Sequence, residues 1–199
     1  MERKLNRKII IGSFLIPLLI ILFDLVGGCR FTPIQAIKSS SLIKGDIKIF
    51  GEVDRDWAKI YLLKAQNGVK TAVAEKRGLM WSCPSVTYFY DDIIKNDKVK
   101  TVGWASIADG NGRQIIVFAV QTNDPDVKFI EAGPNSDRQR KTIALNETVI
   151  FTWDKVLNND INAIAFDKDN LQIYKYEYNP KHLNFTDSKE LRWYSLNNR

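Results

Sequence analysis

The chain is expected to fold as one mainly β domain, an antiparallel sandwich or curled meander of about ten strands, preceded by an N-terminal membrane helix and one short helix. Three observations carry that expectation. Short β-branched and aromatic runs recur at the spacing of about 8 to 12 residues found in all-β domains. Turn sequences, Asn67-Gly68 and Asp109-Gly110-Asn111-Gly112, stand between pairs of such runs. One run, Ile115-Ile116-Val117-Phe118-Ala119-Val120, is apolar at every position, as a strand buried on both faces requires.

The elements follow in order. A basic head (Arg3, Lys4, Arg7, Lys8) leads into an apolar segment from Ile9 to Val26 that ends at Gly27-Gly28-Cys29. A helix of that length spans about 27 Å, just short of a ~30 Å hydrocarbon core. Pro17 removes one helix hydrogen bond near its middle, and Asp24 sits one turn from the outer boundary. Thr32-Pro33 is a helix start, threonine capping and proline taking the first helical position, with Ile34, Ala36 and Ile37 as the apolar face of a short helix to about Ser40.

From Asp46 the period changes to that of strands. Ile47 to Phe50, Ala58 to Ala65, Val69 to Glu75 and Val86 to Tyr90 are the first four, and Val99 to Ile107 with Gln114 to Gln121 make the next hairpin. Asn67-Gly68 supplies the positive φ angles that a two-residue hairpin turn needs. Asp124-Pro125 breaks the pattern, Val127 to Ala132 resumes it, and Gly133-Pro134-Asn135-Ser136-Asp137 reads as an exposed loop. Val149 to Trp153, Asn162 to Phe166 and Leu171 to Tyr178 complete the set, with Leu191 to Tyr194 as a closing edge strand. Val-Lys-Thr recurs at positions 69 and 99, but Phe129-Ile130-Glu131 follows thirty residues on, so no repeat array is expected.

The chain divides into residues 1–29, a membrane anchor or lipoprotein signal, and residues 30–199, an extracytoplasmic mainly-β domain. The excess of basic residues ahead of the apolar segment keeps the amino terminus in the cytoplasm and places the bulk of the chain outside. Three readings of the segment stand side by side: an uncleaved signal anchor, a cleaved lipoprotein signal, and a buried helix of a soluble protein. Val26-Gly27-Gly28-Cys29 resembles the bacterial lipobox, which makes Cys29 the lipidation candidate. Val26 in place of leucine, Asp24 before the processing site, and Arg30-Phe31-Thr32-Pro33 in place of a flexible tether depart from that pattern. The segment lacks the amphipathic face that a buried helix of a soluble protein would show.

The whole chain has 29 basic and 23 acidic residues; without the four bases and two acids of residues 1–29, the exported part carries about +4. That balance favours screened attraction to anionic lipid or an anionic wall polymer, and it lacks the dense basic stripe of a nucleic-acid binder. Arg138-Gln139-Arg140-Lys141 reads as a solvated basic loop. Two cysteines, Cys29 and Cys83, exclude a disulfide framework, and Cys83 reads as a small buried side chain.

Catalytic and cofactor motifs are sparse. The single histidine, His182, excludes multi-histidine zinc sites, and no Gly-rich phosphate loop, Gly-x-Ser-x-Gly or Cys-x-x-Cys occurs, so no cofactor and no metal is expected. Asp167-Lys168-Asp169-Asn170 begins like a calcium loop but has Leu171 fifth and no glycine sixth, which fits a β-turn. Glu52, Asp54 and Asp56 alternate near Trp57 and are the acids on which a sugar-cleaving alternative would rest. Tyr88-Phe89-Tyr90, Trp81, Trp104 and Trp153 supply aromatic area, mostly for a core, with one or two rings for a ligand groove. Asn146-Glu147-Thr148 and Asn184-Phe185-Thr186 match a glycosylation sequon and read as turns.

Phe31-Thr32-Pro33-Ile34-Gln35-Ala36, Gly51-Glu52-Val53-Asp54-Arg55-Asp56-Trp57 and Ile130-Glu131-Ala132-Gly133-Pro134 resemble segments of small, functionally uncharacterised membrane-anchored extracytoplasmic proteins, lipoproteins among them, of Gram-positive spore-forming bacteria. The resemblance implies a compartment and brings no activity or site residue with it. The sequence thus points to a membrane-anchored domain that binds or senses a partner at the cell envelope, an envelope protein or an anionic polymer, without evident catalysis. An envelope hydrolase acting on a wall sugar or peptide, and an accessory subunit of a larger membrane protein, are the alternatives.

Overall fold

A computed structural model of the chain describes residues 18–19, 21–23, 25, 27–88, 97–155, 161–178 and 191–196. Most of the segment expected to form the membrane helix lies outside them; Leu18, Leu19, Ile21, Leu22, Phe23 and Leu25 are helical, and among the described residues no helix is long and apolar enough to cross a membrane. The rest is mainly β, with twelve strands in three antiparallel sheets among the described residues.

The short helix α1 (Pro33–Lys38) starts as expected, Thr32 Oγ1 accepting a hydrogen bond from the Gln35 N–H at 3.3 Å, and it ends two residues before Ser40. The first sheet is a meander of β1 (Lys48–Asp54), β2 (Ala58–Ala65), β3 (Gly68–Arg77) and β4 (Met80–Tyr88). The second holds β5 (Val99–Ala108), β6 (Gln114–Thr122) and β9 (Thr148–Trp153) in the order β5-β6-β9. The third runs β12-β11-β10-β7-β8, from β7 (Phe129–Ala132), β8 (Gln139–Thr142), β10 (Ile164–Phe166), β11 (Gln172–Glu177) and β12 (Arg192–Ser195).

Strand alternation assigns the layers. On β2, Tyr61, Leu63 and Ala65 pack beneath α1 with Ile37 and Ile43, while Ala58, Ile60 and Leu62 pack on the second sheet. On β6, Ile115, Val117 and Ala119 face the first sheet, and Ile116, Phe118 and Val120 face the third. Positions 115–120 are buried throughout, so β6 is the doubly covered central strand expected from its apolar run. The largest core lies between the second and third sheets, where Phe118 touches the rings of Trp104, Phe151 and Tyr176, and Tyr176 meets Trp193.

Four local expectations change, the first being the fourth strand, which starts at Met80, six residues before the expected Val86. Arg138 to Lys141 is no loop: Gln139–Thr142 is β8, an edge strand whose charges keep it from pairing further. It forms because Glu131 on β7 takes both Arg138 and Arg140 at 3.0 Å, and the Arg140 guanidinium lies 4.2 Å from the Phe129 ring centre. The first strand runs past Phe50 to Asp54 through Gly51, where a Cβ would stand 2.8 Å from Leu62 Cδ1. The β2–β3 hairpin forms in the expected place, but its turn residues are Gln66 and Asn67, and of Asn67 and Gly68 only Gly68 has positive φ, at +106°.

Candidate functional site

Register and side-chain contacts give the first two sheets a common pair of ends. At one end gather the β1–β2, β3–β4 and β5–β6 turns: Trp57 O accepts from the Lys76 N–H at 2.8 Å, and the Arg113 guanidinium sits 5.3 Å from the Trp57 ring centre. Leu62 and Thr71 meet Gly103 midway. At the other end lie the β2–β3 turn, the start of β5 and the finish of β6, where Asn123 N–H donates to Lys98 O at 2.8 Å.

That second end holds a groove of about 850 Å³. Its floor is Asp124, a carboxylate whose side chain is only 4 % exposed, placed by the Asp124-Pro125 turn after β6. Tyr174 on β11 donates its hydroxyl to Asp124 Oδ2 at 2.7 Å, the Asp126 N–H donates to Oδ1 at 3.1 Å, and Lys98 Nζ lies 3.4 Å from Oδ2. Burial by itself would lift this carboxyl; the Tyr174 hydroxyl, the Asp126 N–H and the Lys98 ammonium outweigh it and hold it below the usual carboxylate range. The same environment, burial first and the hydrogen bond to Asp124 second, pushes the Tyr174 phenol well above its ordinary value. Arg192 on edge strand β12 pairs with Asp97, both lining the groove, and Trp193 beside it anchors β12 through an Nε1 hydrogen bond of 3.1 Å to Thr101 Oγ1.

The walls are balanced in charge. Lys128 and Lys168 face a groove that also presents Asp126 and Asp167, so it lacks the single-sign field that a polyanion would require. A surface with both signs and aromatic side chains suits a partner that carries both signs as well.

The residues singled out from sequence are scattered. Glu52 and Asp54 share one face of β1, where Lys59 Nζ bridges them at 3.4 and 2.5 Å on an exposed sheet edge away from the groove. The Lys59 ammonium is stabilised by Asp54 first, against a smaller cost of burial, and its pKa is raised. Asp56 lies beyond the strand in the β1–β2 turn and pairs with Arg113 at 3.4 Å. The three acids therefore do not line one cleft. Cys29 is buried, and the next residue pairs with the first sheet: Arg30 and Trp81 exchange two backbone hydrogen bonds of 2.7 Å. Cys83 is a half-buried free thiol whose pKa is raised by burial. Asp167 Oδ1 accepts from the Asp169 and Leu171 N–H groups of its own turn, both at 2.9 Å, and no group of three or more metal-ligating side chains occurs among the described residues. Trp153 is core and Trp104 packs against it, while Asn146 occupies a turn with φ +62°. His182, Phe89, Tyr90 and Asn184 lie outside the described residues.

Sequence reasoning missed the groove because Asp97, Asp124, Tyr174 and Arg192 come from four separate elements. No local signal marked it: Tyr174 sits in Gln172-Ile173-Tyr174-Lys175-Tyr176-Glu177, where it packs against the core beside Tyr176. Comparison of the chain with protein-family models, with curated proteins and with solved structures gives no match.

Proposed function

We propose that the chain is a membrane-anchored extracytoplasmic binding protein, a β sandwich whose groove receives a polar partner of mixed charge at the cell envelope. The observation that carries this reading is the Arg30–Trp81 backbone pair. It ties the residue that follows the apolar segment to the end of the first sheet opposite the groove, so an anchor leaving that end directs the groove away from the lipid. In the uncleaved chain Cys29 is buried, an arrangement that fits the signal-anchor reading. Balanced groove charges favour an envelope protein as the partner over an anionic polymer.

Two measurements test the reading. Intact mass of the membrane-extracted protein is expected to show the full chain; loss of residues 1–28 with a diacylglyceryl adduct would establish the lipoprotein instead. Site-specific photocrosslinking in intact cells from position 194, in the groove wall, is expected to trap discrete adducts that position 56 at the opposite end does not. Equal trapping from both positions would remove the groove as the binding site.

A further inference from the structure

The β3–β4 hairpin is a conspicuous anomaly of the first sheet. Its tip is Gly78-Leu79, with Gly78 at φ +60°, and Leu79 is 94 % exposed, the most exposed large apolar side chain among the described residues. A leucine at a two-residue tip contributes nothing to the fold from that position, since turns of this kind favour Gly, Asn and Asp. Phe31, 58 % exposed, follows the Arg30–Trp81 pair, and the antiparallel sense of that pair runs Phe31 toward Met80 and the tip.

The connection to the apolar segment is short. Leu25 is the last described helical residue, Gly27 and Gly28 turn the chain, and Arg30 is already bonded into the sheet. The Arg30 guanidinium closes the link by donating from Nη1 to Leu25 O at 3.0 Å and to Cys29 O at 2.7 Å. Leu79 stands two residues from Trp81, about 7 Å at strand rise. That is comparable to the headgroup layer, about 5 to 7 Å thick on each side of the hydrocarbon. Exposed Lys76 and Arg77 precede the tip on β3, Arg77 lying 3.7 Å from Glu75, while Asp54 at the end of neighbouring β1 pairs with Lys59 and Asp56 in the β1–β2 turn pairs with Arg113.

From this juxtaposition we infer that the β3–β4 tip, Leu79 with Phe31, is a second membrane contact that seats the first sheet's turn end in the outer-leaflet interface. The apolar side chains enter the acyl boundary, and Lys76, Arg77 and Arg30 lie at the level of anionic headgroups. The inference rests on the anchored reading above and adds an orientation to it: the domain is held at two points, so its groove keeps a fixed direction.

The test uses the full chain reconstituted in vesicles of three parts phosphatidylcholine to one part phosphatidylglycerol. Leu79→Cys and, as control at the groove end, Leu171→Cys carry an environment-sensitive dye; Leu171 is 63 % exposed in the β10–β11 turn. Cys29 is buried and Cys83 is half-buried with a raised thiol pKa, so the new exposed thiols label first. Quenching by lipids bearing a shallow spin label is expected to be several-fold stronger at position 79 than at position 171, with a blue-shifted emission at 79 alone. If the protein floats with the vesicles and position 79 is quenched no more than position 171, the second contact is refuted while the anchor stands. If the full chain does not float with the vesicles, the anchor itself fails and the contact fails with it.

Discussion

Tyr174 holds Asp124 across fifty residues of sequence, its hydroxyl donating to the buried carboxylate at 2.7 Å. The pair joins the third sheet to the turn that leaves the second, and it makes the groove floor sensitive to pH. The Asp124 carboxyl titrates at about 3.9 in an unfolded chain and lower in the fold, so the unfolded state binds the proton first as pH falls. Its stabilising contribution is complete above the unfolded value and disappears as pH drops through the folded one. Tyr174→Phe is expected to cost about 1.5 to 3 kcal/mol at pH 7, the usual worth of a hydrogen bond to a charged group. The gap in Tm between wild type and variant should narrow below about pH 4; a gap that stays constant from pH 7 to pH 3 would mean the bond does not set the carboxyl's titration.

Gly103 sits where the first two sheets leave no room for a Cβ. Its backbone is that of an ordinary strand residue, but a Cβ there would lie 2.4 Å from Leu62 Cδ2 and 2.9 Å from Ala119 Cβ. Gly103→Ala therefore overpacks a buried interface and is expected to destabilise by about 1 to 3 kcal/mol. Adding Leu62→Val removes the first clash, so the double variant should be more stable than the sum of the two single effects predicts. Gly110→Ala, with open space around its Cβ, is the neutral comparison in the same urea titration.

The Glu52–Lys59–Asp54 cluster is conspicuous in sequence and should be nearly silent in stability. It lies on an exposed edge, where solvent screening leaves ion pairs worth about 0 to 1 kcal/mol. Glu52→Gln and Asp54→Asn are each expected to shift stability by less than about 1 kcal/mol, with a smaller shift in 0.5 M salt than in dilute buffer, as measured by thermal unfolding.

What could be read in advance was whatever local chemistry alone decides. The Thr32 cap, the apolar run of β6 and the Asp109 turn are set by residues within a few positions of one another, and each forms where its sequence indicates. In that turn the Asp109 carboxylate accepts the Asn111 and Arg113 N–H groups at 3.0 and 2.8 Å. Strand β8 was invisible because Gln139-Arg140-Lys141-Thr142 has no apolar alternation; its pairing depends on Glu131, Phe129 and Phe166, supplied by other strands. The division into three sheets was hidden for the same reason: β9 pairs with β6 although β7 and β8 intervene in the chain. The groove is the extreme case. Asp124 reads as half of an Asp-Pro breaker, and only the return of β11 reveals that it is a buried, partnered carboxylate.

Thr71 supplies the last test, because it joins two sheets that have no backbone pairing between them. Its side chain is fully buried on β3, and its Oγ1 accepts the N–H of Trp104 on β5, the edge strand of the second sheet, at 3.0 Å. Thr71→Val keeps the shape and removes the acceptor, leaving a buried N–H without its partner at a cost of about 1 to 3 kcal/mol. Thr71→Ser keeps the acceptor and loses one methyl, so the two variants separate bonding from packing. Amide hydrogen exchange at Trp104 is expected to accelerate in Thr71→Val and to remain slow in Thr71→Ser. If exchange and unfolding free energy in Thr71→Val match wild type, the bond adds nothing to the packing of Ile60, Leu62, Val117 and Ala119 between the first two sheets.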